Sequence, residues 1–99
     1  MFSLAGKNAA VVGGGSGIGR AVALGCAQQG AYVRCLDVNV DGAAETADMI
    51  VDAGGRADSG AVDIVDGNAV TDAFQSVMND EGSLDVVVCT PAINVRKPL

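Results

Sequence analysis

Short aliphatic runs alternate along this chain with longer stretches in which small or apolar residues return every three or four positions. The first run is Ala9, Ala10, Val11 and Val12, cut off by Gly13, and it predicts a strand. Over residues 17–29, Ile18, Ala21, Val22, Leu24, Gly25 and Cys26 recur at helical spacing. Gly30 then stands where a helix end favours a left-handed residue. Residues 31–37 predict a second strand. Asn39 or Asp41 can cap the next helix, which carries Ala43, Ala44, Ala47 and Ile50 and stops at Gly54 and Gly55. A third strand over 57–63 is the poorest in strand formers, because it holds Asp58, Ser59 and Gly60. Asp66 or Asn68 opens a third helix with Val70, Ala73, Phe74 and Val77 on its apolar face. Residues 84–89 form the fourth strand, whose unbroken Val86, Val87 and Val88 predict burial on both faces. Residues 91–99 contain two prolines and no periodicity, and read as a terminal loop.

The resulting order, βαβαβαβ, has connections long enough for helical crossovers. It predicts an α/β fold with a parallel sheet and helices on both faces. The chain has 99 residues, enough for one domain and not for two. Its core must be aliphatic, since 49% of residues are hydrophobic and only 3% aromatic. A formal charge of −6 repels phosphate backbones, which argues against nucleic-acid binding. Cys26, Cys35 and Cys89 lie far apart with no CxxC, and are expected to be reduced thiols packed as small hydrophobes. Residues 1–7 carry no apolar signal core, and no run approaches the ~20 apolar residues of a membrane span. The expected setting is cytoplasmic, without membrane association.

Chemistry concentrates between the first strand and first helix, in Gly13, Gly14, Gly15, Ser16, Gly17, Ile18 and Gly19. The spacing is GxxxGxG through Gly13, Gly17 and Gly19; GxGxxG fails because Arg20 occupies the required position. A glycine after the strand permits a tight turn, and a second lets backbone approach a diphosphate. A third lets the helix lie close to the sheet. Free amides around Ser16, Gly17 and Ile18 at the helix start then face phosphate with the dipole in their favour. Asp37, at the end of the second strand, is placed to accept hydrogen bonds from the hydroxyls of an adenosine ribose. The fold is therefore read as a Rossmann-type, partial doubly wound sheet of strand order 3-2-1-4. Residues 1–99 make one dinucleotide-binding half-domain. Its carboxylate disfavours a 2′-phosphate, so NAD is expected over NADP. Arg34 lies too early in the strand to serve a 2′-phosphate and is expected to snorkel to solvent.

These residues resemble the short-chain dehydrogenase/reductase family over the whole chain. The resemblance rests on Leu4, Ala5, Gly6 and Lys7, on the spaced Gly13, Gly17, Ile18 and Gly19, on Asp37, and on Val62, Asp63 and Ile64. It implies that the Asp63 side chain holds the adenine amino group, helped by the backbone of Ile64. A turn acid is the plain alternative for Asp63. The family's Thr before the first glycine is replaced by Val12. Its Asn-Asn-Ala-Gly lies at Cys89, Thr90, Pro91 and Ala92, where backbone contacts of Cys89 and Thr90 to the nicotinamide-ribose side are expected.

The family's catalytic Ser and Tyr-xxx-Lys have no counterpart here: the one tyrosine, Tyr32, is followed four residues later by Leu36. The chain alone is therefore expected to be inactive. The leading expectation is the NAD-binding fragment of an oxidoreductase that moves hydride between a nicotinamide cofactor and an alcohol or ketone. The alternative is a non-catalytic NAD-binding or scaffold module; a methyltransferase is disfavoured by the glycine spacing. A homo-oligomer, joined through the fourth-strand edge or an uncovered sheet face, is also expected.

Overall fold

A computed structural model describes residues 3–15, 17–63 and 65–90. The terminal loop expected over 91–99, and the positions of Ser16 and Ile64, lie outside the described residues. Seven elements follow in order: β1 (Asn8–Val12), α1 (Gly17–Gln28), β2 (Tyr32–Asp37), α2 (Val40–Asp52), β3 (Arg56–Ala61), α3 (Gly67–Glu81) and β4 (Val86–Cys89). The four strands form one parallel sheet in the order β3-β2-β1-β4.

Burial follows the pleat. Ala9, Val11, Val33 and Cys35 face one way and pack with Ala23 of α1 and Ala43, Ala47 and Ile50 of α2. Ala10, Val12, Tyr32 and Leu36 face the other way, against Val77 and the half-buried Val70, Ala73 and Phe74 of α3. Because β1 and most of β2 are covered on both sides, every residue of β1 is buried. Between the two possible caps, Asn39 caps α2 by accepting from the Gly42 amide, and Asp66 caps α3 by accepting from Asn68 and Ala69. Gly30 has φ +102°, as a helix exit requires.

Three expectations are corrected. β4 is not buried on both faces: Val86 and Val88 meet the α1/α2 core, whereas Val87 and Cys89 are exposed. Among the described residues no element covers that part of the α3 side. Cys89 accordingly is not packed as a small hydrophobe; Cys35 is, and burial pushes its thiol up to about 11. Arg34 does not snorkel. It lies on the α3 face, where Nε donates to the Tyr32 hydroxyl at 2.8 Å and Nη2 reaches Asp80 Oδ2 at 3.2 Å. Asp58, its register partner on β3, is 3.9 Å away. A cation on a covered face finds carboxylates because desolvation without them costs too much.

Candidate functional site

A parallel sheet brings the C-terminal ends of all its strands to one edge. Here that edge carries Gly13 to Gly15 after β1, Asp37 at the end of β2, Asp63 just beyond β3, and Cys89 and Thr90 at the end of β4.

The glycine turn is tied to its neighbours on both sides. Gly13 and Gly14 both donate their amides to the Leu36 carbonyl, at 2.7 and 3.1 Å. The Thr90 amide donates to the Val12 carbonyl at 2.9 Å, and the Thr90 hydroxyl to the same oxygen at 3.2 Å. Gly13 turns with φ +89°, and a Cβ there would collide with the Thr90 carbonyl and hydroxyl. A Cβ on Gly19 would overlap the Gly13 carbonyl oxygen and approach Thr90 Oγ1 to 2.8 Å. That close approach lays the start of α1 directly on the turn. Gly17 and Ile18 form the first residues of α1, and Ile18 is 75% exposed. Among the described residues no acidic side chain occupies this first turn to offset the positive end of the helix.

Asp37 is half-buried beside the turn. Its Oδ2 accepts from the Gly15 amide at 2.8 Å and its Oδ1 from the Asn39 amide at 3.0 Å. Each oxygen keeps further acceptor capacity, so the carboxylate is oriented without being used up. Asp63 is exposed and accepts from the Val65 amide at 3.1 Å, which is the bond of a turn acid. It stands beside Asp37 because the Val62 amide donates to the Asp37 carbonyl at 3.1 Å. Tyr32 begins β2 and so lies at the other end of that strand from Asp37; burial pushes its phenol above the ordinary value, and the Arg34 hydrogen bond opposes this. Among the described residues no group of three or more Cys, Asp or Glu is arranged to hold a metal.

The profile of the short chain dehydrogenase family matches residues 7–99. The chain belongs to this family. A short-chain dehydrogenase/reductase homolog, YusS, of Bacillus subtilis (strain 168) is 35% identical over 94 residues, which are 94% of this chain and 86% of that protein. A hydroxynaphthalene reductase-like protein, Arp2, of Metarhizium brunneum is 40% identical over 100 residues, covering 97% of this chain but only 36% of the relative. A dehydrogenase/reductase of Sinorhizobium meliloti 1021 superposes with TM-score 0.91 at 39% identity, over 98% of this chain and 39% of that one. A 7α-hydroxysteroid dehydrogenase solved with NADH and 7-oxo glycochenodeoxycholic acid superposes with TM-score 0.82 at 32% identity, over 86% of this chain and 33% of that one. The short-chain dehydrogenase fold is thus shared with proteins of two lengths, one near this chain's and the others well over twice it.

Sequence reasoning did not single out a second group at the same edge. Arg20, in the first turn of α1, sends Nε to Thr46 Oγ1 at 2.9 Å and Nη2 to the Gly15 carbonyl at 2.8 Å and Glu45 Oε1 at 2.7 Å. Thr46, fully buried in α2, donates to the Gly14 carbonyl at 2.7 Å. The signal was present: a cation in a helix's first turn opposes the dipole, so Arg20 needed specific partners to sit there.

Proposed function

We propose that this edge binds a nicotinamide dinucleotide, NAD in preference to NADP. The diphosphate is held at Gly13, Ser16, Gly17, Ile18 and Gly19. Asp37 accepts from the adenosine ribose, Asp63 and Ile64 meet the adenine, and the backbone of Cys89 and Thr90 flanks the nicotinamide ribose. The observation that carries this reading is the 2.8 Å bond between Asp37 Oδ2 and the Gly15 amide, which sets the carboxylate against the glycine turn. A sugar hydroxyl and a diphosphate one linkage apart can then be recognised together. A 2′-phosphate placed at Asp37 meets a like charge.

The nicotinamide ring, when bound, supplies the hydride donor or acceptor for an alcohol/ketone couple. The chain's own residues bind and orient it, and they include no Tyr-xxx-Lys to move the substrate's proton. We therefore assign these residues to the nucleotide-binding part of an oxidoreductase and leave the chemical step to residues beyond them. The 36% coverage of the hydroxynaphthalene reductase-like relative supports that assignment. The 86% coverage of the Bacillus relative favours the second reading, a short protein that binds the nucleotide without turning it over. The coding sequence downstream of Leu99, searched for Ser followed by Tyr-xxx-Lys, separates the two.

The exposed Val87 and the edge position of β4 support self-association there, in a cytoplasmic protein with reduced thiols. Among the described residues no helix is long and apolar enough to cross a membrane. Titration of the chain with NADH and NADPH, followed by the cofactor's own fluorescence, tests the nucleotide reading. Saturable NADH binding with weaker NADPH binding supports it, and no binding of either, or tighter NADPH binding, refutes it.

A further inference from the structure

The side chains of Arg20 and Thr46 hold the rear of the glycine turn from two different helices. Thr46 Oγ1 accepts from Arg20 Nε at 2.9 Å, so its single proton is free to go to the Gly14 carbonyl at 2.7 Å. The Gly42 carbonyl, at 3.1 Å, is the longer of its two acceptors. Arg20 Nη2 spends its two hydrogens on the Gly15 carbonyl and Glu45, while the Gly42 carbonyl is at 3.4 Å. The peptide between Gly14 and Gly15 is thus gripped at both ends: its carbonyl by Thr46 and its amide by Asp37. Two consecutive carbonyls of the turn, those of Gly14 and Gly15, are thus held by side-chain donors from α2 and α1.

We propose that Arg20 and Thr46 form a latch that sets the glycine turn in its anion-accepting conformation, which makes α2 a positioning element for the nucleotide. The inference rests on the nucleotide reading above and adds how the turn is held. Arg20 acts through the turn: its Nε and Nη2 hydrogens are committed to Thr46, the Gly15 carbonyl and Glu45. The guanidinium is suited to this because its rigid fork reaches a hydroxyl and a carbonyl together, which an ammonium cannot copy. Glu45 is 66% exposed and serves mainly to orient the guanidinium.

The test compares the full 99-residue chain with Arg20→Lys and Thr46→Val. Arg20→Lys keeps the charge and loses the fork; Thr46→Val keeps the shape and loses the hydroxyl. Tyr32→Phe, at the far end of β2, controls for general loss of stability. Two readouts are taken: the NADH dissociation constant, and hydrogen exchange of the Gly15 amide without ligand. The latch predicts that each variant weakens NADH by about three- to tenfold, the scale of one or two lost hydrogen bonds. It also predicts faster Gly15 exchange in both, with neither change in Tyr32→Phe. Full rescue of both readouts by Lys would show that charge alone matters and would overturn the latch, as would wild-type behaviour of both variants. If the unmodified chain fails to bind NADH, the nucleotide reading falls, and Gly15 exchange alone decides the latch.

Discussion

Asp37 Oδ2 and the Gly15 amide nitrogen meet at 2.8 Å although 22 positions separate them in the chain. The bond exists because β1 and β2 are parallel neighbours in register, so Val12 pairs with Leu36 and the two following segments emerge side by side. It places the one half-buried carboxylate of this edge against backbone amides before any ligand arrives.

Replacing Asp37 by Asn keeps the side-chain shape and removes the charge. We expect NADH to bind about tenfold more weakly, the scale of one lost charge-assisted hydrogen bond. The gap between NADH and NADPH should narrow, because the repulsion of the 2′-phosphate is gone. Parallel fluorescence titrations of wild type and variant with both cofactors check this.

Gly19→Ala should destabilise the fold itself. The added methyl would overlap the Gly13 carbonyl, a backbone group that cannot swing away, and crowd the Thr90 hydroxyl. We expect a loss of about 1–3 kcal/mol or more, read as a lower midpoint in thermal denaturation followed by circular dichroism. An unchanged midpoint would mean that α1 does not lie on the turn.

Arg34→Met removes the donor to Tyr32 and the partner of Asp80 and Asp58. Both carboxylates are more than half exposed and regain water, so the cost stays near about 1–2 kcal/mol. Urea unfolding measures it. A change well under that figure would show that Arg34 is solvated after all.

Most of the architecture could be read from periodicity, and the misses have physical causes. The element order, parallel sheet and three helices follow from apolar spacing plus the helical crossovers, and the strand order from the Rossmann-type reading of the glycine turn. Val86 to Val88 predicted burial on both faces because a valine run records only hydrophobicity; whether a helix lies above Val87 depends on where α3 packs, and α3 covers β1 and β2. Arg34 misled for the opposite reason, since its partners Asp58 and Asp80 come from β3 and α3 and no local pattern links them. Within the site, Gly13, Gly19 and Asp37 were legible because strand–turn–helix geometry constrains them locally. Arg20 and Thr46 were not, because their pairing depends on α1 and α2 lying side by side.

One acid carries a defined pH signature. The Asn8 amide, donating to Asp85 Oδ2 at 2.8 Å, holds that carboxyl below its ordinary value, with help from the Ser83 hydroxyl and Lys7. A depressed folded value means that the stabilisation is present above the unfolded value of about 4 and fades as pH falls through the folded one. Asp85→Asn should therefore lower the thermal midpoint near neutrality, and the gap to wild type should shrink in acid. A gap that stays constant or widens below about pH 4 would contradict the assignment.

The most direct test of the nucleotide site is an amide chemical-shift map of the isotopically labelled chain titrated with NADH. The account predicts shifts concentrated at Gly13 to Gly19, Asp37, Val62, Asp63 and Thr90, at the C-terminal ends of the strands. Shifts concentrated at Asn8, Tyr32 or Asp80, or none at saturating cofactor, would contradict it.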